Sequence, residues 1–401
     1  MDDQQRRLQA NIPKILLLNF FYMFLVIIPV IVPYWQMHGL SMSDIYLLQS
    51  IFAISVVILE VPSGYISDLL GRKNTIVAAG IFSGTAYSIF MMSESFAGFC
   101  TFEITMSIAV SLISGTDVAL IYDSIELLED RKFNQNRILG KKVFYSQIGE
   151  TIAALIGGAA AAVSLYLPAQ INAVTAWMPF VIGLTLFEPP RQLMDRQKHA
   201  ENIRYIYRSL FQHSKLLTFI ILNLVIYGVA TLLAVWAYQG YWQSMDIPLS
   251  WFGYLWAGFN LTVALSGRAA HIIEEKLGST TAILLIALLP VAGYLGMAML
   301  PGLIGVAAGL LFQFSRGLNQ VVLRDALNSR VKADMRATAN SVASLGVRLA
   351  FAGIGPFLGW GIDAFGYGSA FEGMGWLYVA LFFVICLPLL SQRKFFKPAG
   401  S

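Results

Sequence analysis

Long apolar runs recur along the whole chain, and they constrain its fold more than any other feature. A helix needs about 20 mostly apolar residues to cross the hydrocarbon core of a bilayer. Twelve such runs occur, with approximate bounds 14–36, 44–66, 74–94, 97–122, 143–163, 168–187, 215–240, 250–272, 279–299, 301–326, 338–362 and 371–390. None alternates with a period of two, as strands of a membrane β-barrel do. The sequence therefore predicts an all-α membrane protein with twelve transmembrane helices.

The composition also favours a bilayer over water as the solvent. Of the 401 residues, 57% are hydrophobic and 12% are charged, whereas globular domains carry about 25% charged residues. A soluble protein of this length would leave too much apolar surface in contact with water. Cys100 and Cys386 lie within apolar runs, so we expect reduced thiols rather than a disulfide framework. The first run is too long and too rich in large side chains for a cleaved signal peptide.

The basic residues predict an orientation in the membrane. Cytoplasmic loops of membrane proteins are rich in Lys and Arg. With the N-terminus inside and twelve spans, the Lys and Arg residues fall in or beside the inner loops, and the outer loops have none. Only Arg316 and Arg348 remain, and both lie within spans. We therefore expect a multi-pass protein with both termini in the cytoplasm.

The longest polar stretch divides the chain into two sets of six spans. We expect an N-terminal six-helix bundle over residues 1–187, a cytoplasmic middle loop over 188–214 and a C-terminal six-helix bundle over 215–401. The two halves are weakly similar: Asp123 closes the fourth span and Asp325 closes the tenth. A basic loop and then a Gly-rich helix follow in each half. This pattern is typical of a parallel internal repeat.

A short charged turn joins the second and third spans. It has the pattern G-x-x-x-D-x-x-G-R-K, formed by Gly64, Asp68, Gly71, Arg72 and Lys73. Glycines at these positions allow a tight turn and a close approach of helices. Asp123, at the end of the fourth span, is a plausible partner for Arg72. A second, degraded copy, "GRAAHIIEEKLGS", keeps Gly267 and Lys276 but has Glu274 where the pattern has its second glycine.

The charged turn, the twelve spans, the basic middle loop and the repeat together resemble the major facilitator superfamily of secondary transporters. The resemblance implies two pseudo-symmetric six-helix bundles and a location in the bacterial inner membrane. It also implies that the turn latches the two halves on the inner face, so that Asp68 and Arg72 are gate residues rather than substrate ligands. A topology anchor without a gating role is the alternative. Two sequence patterns of drug–proton antiporters in the fourth and fifth spans are missing here.

Polar and charged side chains follow one face of two predicted spans. Ionisable groups at membrane depth are costly and usually face a cavity. The fourth-span stripe consists of Glu103, Ser107, Ser111, Ser114 and Asp117, and the tenth-span stripe of Gln313, Arg316, Gln320 and Arg324. In the resembled fold, the first, fourth, seventh and tenth helices line the central cavity. The candidates for substrate binding or proton coupling are Asp117, Glu150, Arg316, Arg348, Glu103, Gln313, Gln320, Asn19, Asn223 and Tyr227. Structural salt bridges remain an alternative for the charged groups, and Glu103 could instead reach the outer headgroups.

No motif indicates catalysis or ATP hydrolysis. The sequence has no P-loop, no H-E-x-x-H and no nucleophile elbow, so we expect a non-enzyme driven by an ion gradient or by its substrate. The leading hypothesis is proton-coupled efflux of a small organic compound by alternating access. The alternative is uptake of a small anionic metabolite or metal chelate, clamped by Arg316 and Arg348. A transporter-like protein that senses or assembles is a third hypothesis. The expected partners are a small-molecule substrate, protons and lipid, with no cofactor, resident metal or nucleic acid, and we expect a monomer.

Overall fold

A computed structural model describes residues 3–128, 135–190, 215–332 and 335–392. Within these ranges the chain is helical and contains no strands, and each of the twelve predicted spans corresponds to a helical stretch. Seven helices of the described chain have the length and apolar character that a membrane crossing requires. Most of the predicted middle loop and the basic C-terminal tail lie outside the described residues.

The described residues form sixteen α-helices, numbered in chain order. The first nine are α1 (Asp3–Tyr22), α2 (Ile31–Met37), α3 (Met42–Leu70), α4 (Arg72–Met92), α5 (Phe96–Ile113), α6 (Thr116–Glu126), α7 (Gln135–Ala161), α8 (Tyr166–Thr175) and α9 (Met178–Leu184). The others are α10 (Lys215–Ser244), α11 (Leu249–Met299), α12 (Gly302–Ala308), α13 (Leu310–Leu318), α14 (Arg324–Asn328), α15 (Arg336–Leu381) and α16 (Leu387–Ser391). A 3-10 turn, Ile28–Val30, precedes α2, and π-helical turns occupy Asn319–Leu323 and Phe382–Cys386.

The helices form two compact units. The first contains Met1–Leu40, Leu47–Met194 and Pro248–Ala257, and the second contains Ser41–Tyr46, Asp195–Ile247 and Gly258–Ser401. The core of the first unit includes Ile15 of α1, Ile76 of α4 and Leu120 of α6. In the second unit the ring of Tyr294 stacks on that of Tyr378, with 5.7 Å between ring centroids. Apolar burial of this kind stabilises each unit separately.

The charged turn of the first unit depends on the backbone of Gly71. This glycine lies between α3 and α4 with φ 93° and ψ 157°, a region that essentially only glycine adopts. The Glu188 carboxylate then accepts hydrogen bonds from the backbone N–H groups of Arg72, at 2.8 Å, and Lys73, at 2.6 Å. An acidic group is favourable at a helix N-terminus, where backbone N–H groups lack partners within the helix.

We expect Gly71→Ala to destabilise the protein and Gly64→Ala to leave its stability nearly unchanged. A Cβ at position 71 would lie 2.8 Å from Oε1 of Glu188, and the positive φ adds strain, whereas a Cβ at position 64 meets no atom within 4 Å. Strain of this type costs about 1–3 kcal/mol. Thermal unfolding of the detergent-solubilised protein measures the difference. Equal midpoints for the two variants would show that the turn does not need its glycine.

The corresponding turn of the second half lies at Gly278, within α11. Gly278 has φ 83° and ψ 155°, close to the values of Gly71. The prediction that Glu274 replaces the second glycine is therefore wrong by four residues, about one helical turn. The error arose because the copy was aligned on Gly267. That glycine lies inside α11 with a helical backbone, and the turn is at Gly278 instead. On the corrected alignment Glu275, three residues before Gly278, takes the place of Asp68.

The predicted fourth span is two helices rather than one. Gly115 has a left-handed backbone, with φ 78°, and separates α5 from α6. The stripe expected on one continuous helix therefore changes direction at this point. Glu103, Ser107 and Asp117 are buried within the first unit, whereas Ser114 is exposed. The tenth span is also irregular, since the π-helical turn Asn319–Leu323 interrupts it, and such turns are frequent at functional sites.

Candidate functional site

Three arginines of the second unit line one cavity of about 330 Å³. Arg316 comes from α13, Arg324 from α14 and Arg348 from α15. The other lining residues are Leu224, Gly228, Thr231, Leu232, Asn319, Gln320, Ser344 and Val347. The lining therefore carries three guanidinium groups and several neutral polar groups, and none of these residues has a carboxylate. Guanidinium groups bind carboxylate and phosphate through paired hydrogen bonds, so the cavity suits a small anion.

Local helix geometry brings these side chains together. Arg316, Gln320 and Arg324 follow one another at intervals of four residues, so they share a face of the tenth span. The π-helical turn between α13 and α14 lies within this series. On the opposite wall, Gly228 of α10 lies close to Val347, whose Cγ2 would be 3.1 Å from a Cβ at position 228. Small-molecule sites usually have volumes of about 300–1,000 Å³, so this cavity lies at the small end of that range.

Glu103 is a buried carboxylate in the first unit. Its exposed fraction is 3%, and Oε1 accepts a hydrogen bond of 2.6 Å from Nε2 of Gln49 on α3. Glu103 forms no ion pair with any residue in the described part of the chain. The alternative that this side chain reaches the outer headgroups is therefore wrong, because protein surrounds it. Burying a carboxylate without a cation is costly, so Gln49 supplies the polar contact that this group needs.

Asp117 has a cation within its own unit. Nζ of Lys142 on α7 lies 2.6 Å from Oδ2 of Asp117, and the side chains are 20% and 5% exposed. Oδ1 of Asp117 also accepts a hydrogen bond from the backbone N–H of Val118. The structure pairs Asp117 with a lysine that the sequence places in an inner loop, as in the alternative of a structural salt bridge. The ion pair supplies a counter-charge to a carboxylate that is buried in protein.

Glu150 of α7 lies in the first unit. The indole Nε1 of Trp256, in the segment of α11 that belongs to the same unit, donates to Oε1 of Glu150 at 3.3 Å. The two helices also approach closely at glycines, since the Cβ position of Gly158 is 2.7 Å from the backbone nitrogen of Gly253. Glu150 is therefore held against α11 by close packing.

The residues of the charged turn lie together within the first unit. Nη1 of Arg72 donates to Oδ1 of Asp68 at 3.0 Å and to Oγ of Ser67 at 2.9 Å. Nε of Arg72 lies 3.4 Å from Oδ2 of Asp123. The structure thus places Arg72 between two carboxylates, including the partner suggested by the sequence. The Arg72 side chain is 20% exposed and the Asp68 side chain is 64% exposed, so this group lies partly at the surface.

The remaining predicted site residues are buried in helix packing. Nδ2 of Asn19 donates to the Ile15 carbonyl at 2.9 Å. Nδ2 of Asn223 donates to the carbonyl groups of Phe219 and Ile385. Tyr227 and Gln313 are also buried. None of these four residues lines the arginine cavity.

Four functional candidates were not identified from the sequence. Gln49 binds the Glu103 carboxylate and Lys142 binds the Asp117 carboxylate. Glu188 binds the N–H groups at the start of α4. The fourth, Asp363 of α15, accepts hydrogen bonds from the backbone N–H groups of Met42, at 3.0 Å, and Ser43, at 2.7 Å. It therefore caps the N-terminus of α3. The available signal was its position directly after the predicted eleventh span, where an isolated carboxylate needs a partner.

The sequence matches the Major Facilitator Superfamily profile over residues 15–356. The chain belongs to the major facilitator superfamily. The predicted family, fold and membrane location in a multi-pass protein are thereby confirmed. No curated protein is similar enough in sequence to give a significant match.

Solved structures of superfamily transporters share the fold of this chain. A mutant of the nucleoside transporter NupG has a TM-score of 0.79 at 12% identity, with 96% of this chain and 99% of that chain covered. A bacterial homologue of the human lysosomal transporter Spinster, inward-facing and unoccupied, gives 0.73 at 16% identity and covers 100% of both chains. A D-xylose–proton symporter gives 0.65 at 16% identity, over 92% of this chain and 95% of that chain. Identities this low show a shared fold and leave the substrate open.

Proposed function

We propose that this superfamily member is a proton-coupled secondary transporter of a small organic solute with an acidic group. The observation that carries the proposal is the cavity of about 330 Å³ with Arg316, Arg324 and Arg348 in its lining. Membership of the superfamily supports secondary transport. The location that we propose is the bacterial inner membrane, with both termini in the cytoplasm, as the basic residues indicate.

The lining of the cavity favours an anionic substrate. Guanidinium groups bind carboxylate and phosphate through paired hydrogen bonds, and three of them line the cavity. Thr231, Asn319 and Gln320 also line the cavity and offer neutral hydrogen-bonding groups to the rest of the solute. The small volume argues against a large amphipathic drug. The substrate class of the alternative hypothesis is therefore better supported than that of the leading one.

Glu103 is our candidate for the proton-carrying group. It is buried beside a neutral amide and has no cation partner in the described chain, whereas Asp117 has Lys142. A carboxylate in this environment changes its proton affinity strongly when water or a charge reaches it. A proton symporter on the same fold gives a precedent for coupling. Export stays the proposed direction, as expected from the sequence, and uptake of an anionic metabolite stays the alternative.

A binding screen with matched compound pairs tests the substrate class. Each pair consists of an organic acid and its neutral amide, and the readout is thermal unfolding of the full chain in detergent. A ligand at 100 times its Kd stabilises a protein by about 2.7 kcal/mol, so we expect the acid of at least one pair to raise the unfolding midpoint by several degrees. Equal stabilisation by acid and amide in every pair would contradict the proposal.

A further inference from the structure

A second cavity, in the first unit, lies apart from the proposed transport residues. Its volume is about 620 Å³, and four basic side chains line it: Arg6, Arg7, Lys14 and Lys73. It is bounded by α1, the start of α4 and residues 184–188. Residue 184 is the last of α9, and the other four residues follow that helix. Only Lys73 is shared with the charged turn. On the predicted orientation, all four basic residues lie at the cytoplasmic ends of spans.

Hydrogen bonds hold the wall of this basic cavity in a fixed position. The side chain of Asn11, which is fully buried, donates to the Phe187 carbonyl at 2.8 Å and accepts from the Phe187 N–H at 2.9 Å. Nζ of Lys14 donates to the Thr185 carbonyl at 2.6 Å. Glu188 is fixed by its bonds to the amides that begin α4. Three elements of the chain are thus joined around a preformed cavity.

Within the described residues, the carboxylates near this cavity do not balance its positive charge. Glu188, the acidic lining residue, is engaged with backbone N–H groups of Arg72 and Lys73. Asp3 pairs with Arg7 at 2.8 Å, but these side chains are 74% and 59% exposed, so the pair contributes little. The Arg7 guanidinium also lies 5.8 Å from the Phe187 ring centroid. Lys14 binds a neutral carbonyl, so the cavity keeps a net positive charge.

Apolar side chains continue from the rim of the basic cavity towards the membrane. Leu184, in the lining, is 52% exposed. Val181 lies three residues earlier on α9 and is 49% exposed, and Leu17 lies three residues after Lys14 on α1 and is 46% exposed. Residues three apart share a helix face. The surface therefore combines a cationic recess with an adjoining apolar track on two spanning helices.

We propose that the basic cavity binds the headgroup of an anionic phospholipid. Its phosphate would lie among Arg6, Arg7 and Lys14, and an acyl chain would follow the exposed apolar residues of α1 and α9. Basic groups near a membrane surface attract anionic lipids, and a cationic recess between helices is the form such sites take. A free phosphate would use the same cations but would gain nothing from the apolar track. The lipid is therefore the occupant that uses the whole surface.

Native mass spectrometry of the full chain in neutral detergent tests this proposal. The probes are phosphatidylglycerol, phosphatidylcholine with the same acyl chains, and inorganic phosphate. The test variant carries Arg6→Gln, Arg7→Gln and Lys14→Gln. The matched control carries Arg268→Gln, Lys276→Gln and Lys332→Gln, which replace three exposed basic residues elsewhere on the predicted cytoplasmic side. Thermal unfolding without lipid checks that each variant is folded.

We expect the wild type and the control to bind phosphatidylglycerol at least tenfold more tightly than the test variant does. Phosphatidylcholine should bind equally weakly to all three proteins. Equal phosphatidylglycerol binding by the test variant and the wild type would overturn the proposal. Inorganic phosphate that competes fully with the lipid, or that binds as tightly as the lipid does, would overturn the lipid assignment. If the test variant fails to fold, the single variant Arg6→Gln, at an exposed residue, takes its place with the same expected direction.

Discussion

We expect Arg316→Gln to lower kcat/KM for the acidic solute by about 10–150-fold, because a hydrogen bond to a charged group contributes about 1.5–3 kcal/mol. Arg316 lines the cavity together with Arg324 and Arg348, so the solute loses one of three cationic contacts. Arg316→Lys keeps the charge but not the paired hydrogen-bond geometry, and we expect it to retain an intermediate rate. Initial rates of flux into proteoliposomes, at several solute concentrations, measure the effect.

The matched control for this prediction is Arg268→Gln. Arg268 belongs to the same unit, is exposed and does not line the cavity. We expect its kinetics to stay within about twofold of the wild type, since surface substitutions away from such sites have small effects. The arginine assignment fails if Arg316→Gln and Arg348→Gln both keep wild-type kcat/KM. It also fails if neutral and acidic solutes lose rate equally.

The second large effect is expected at Glu103. We expect Glu103→Gln to abolish solute accumulation driven by a pH gradient while keeping solute exchange across the membrane. Glutamine has nearly the same shape and keeps a polar contact with Gln49, which lies 2.6 Å from the native carboxylate, but it cannot release or bind a proton. Exchange of labelled for unlabelled solute requires binding and conformational change, without net proton movement.

Glu94→Gln is the control for the proton assignment. Glu94 precedes α5 and is exposed, so its carboxylate is in water and we expect both activities to persist. If Glu103→Gln retains gradient-driven accumulation, the coupling carboxylate lies elsewhere, and Asp117 and Glu150 become the next candidates. Loss of exchange as well as accumulation, with normal unfolding, would indicate that Glu103 binds solute rather than protons.

The sequence predicts the helical spans well because hydropathy alone determines them. An apolar run of sufficient length has few other stable arrangements in a bilayer. The turn at Gly71 was also predictable, since its glycine and adjoining charges form a local pattern. The copy at Gly278 was misplaced because its charges have changed while the backbone conformation has not. The residues on either side of Gly278 therefore do not reveal its backbone conformation.

Side-chain partners were much harder to predict than spans. The sequence marked Glu103 and Asp117 as members of one stripe, but the break at Gly115 separates them. Their partners, Gln49 and Lys142, come from other helices, and helix packing alone decides which faces meet. Arg316 and Arg348 were identified as candidates from their membrane depth. Their shared cavity depends on how α13 and α15 pack, which no local pattern in the sequence encodes.

The most direct test of the account measures solute and proton movement together. Proteoliposomes containing the wild type and a pH-sensitive dye receive the best acidic ligand of the screen, or its neutral amide. We expect the acid to move with protons, to accumulate when a pH gradient is imposed, and to stop accumulating when a protonophore removes the gradient. We expect no such movement of the amide. Gradient-independent flux of the acid, or equal coupled flux of the amide, would contradict proton-coupled transport through an arginine cavity.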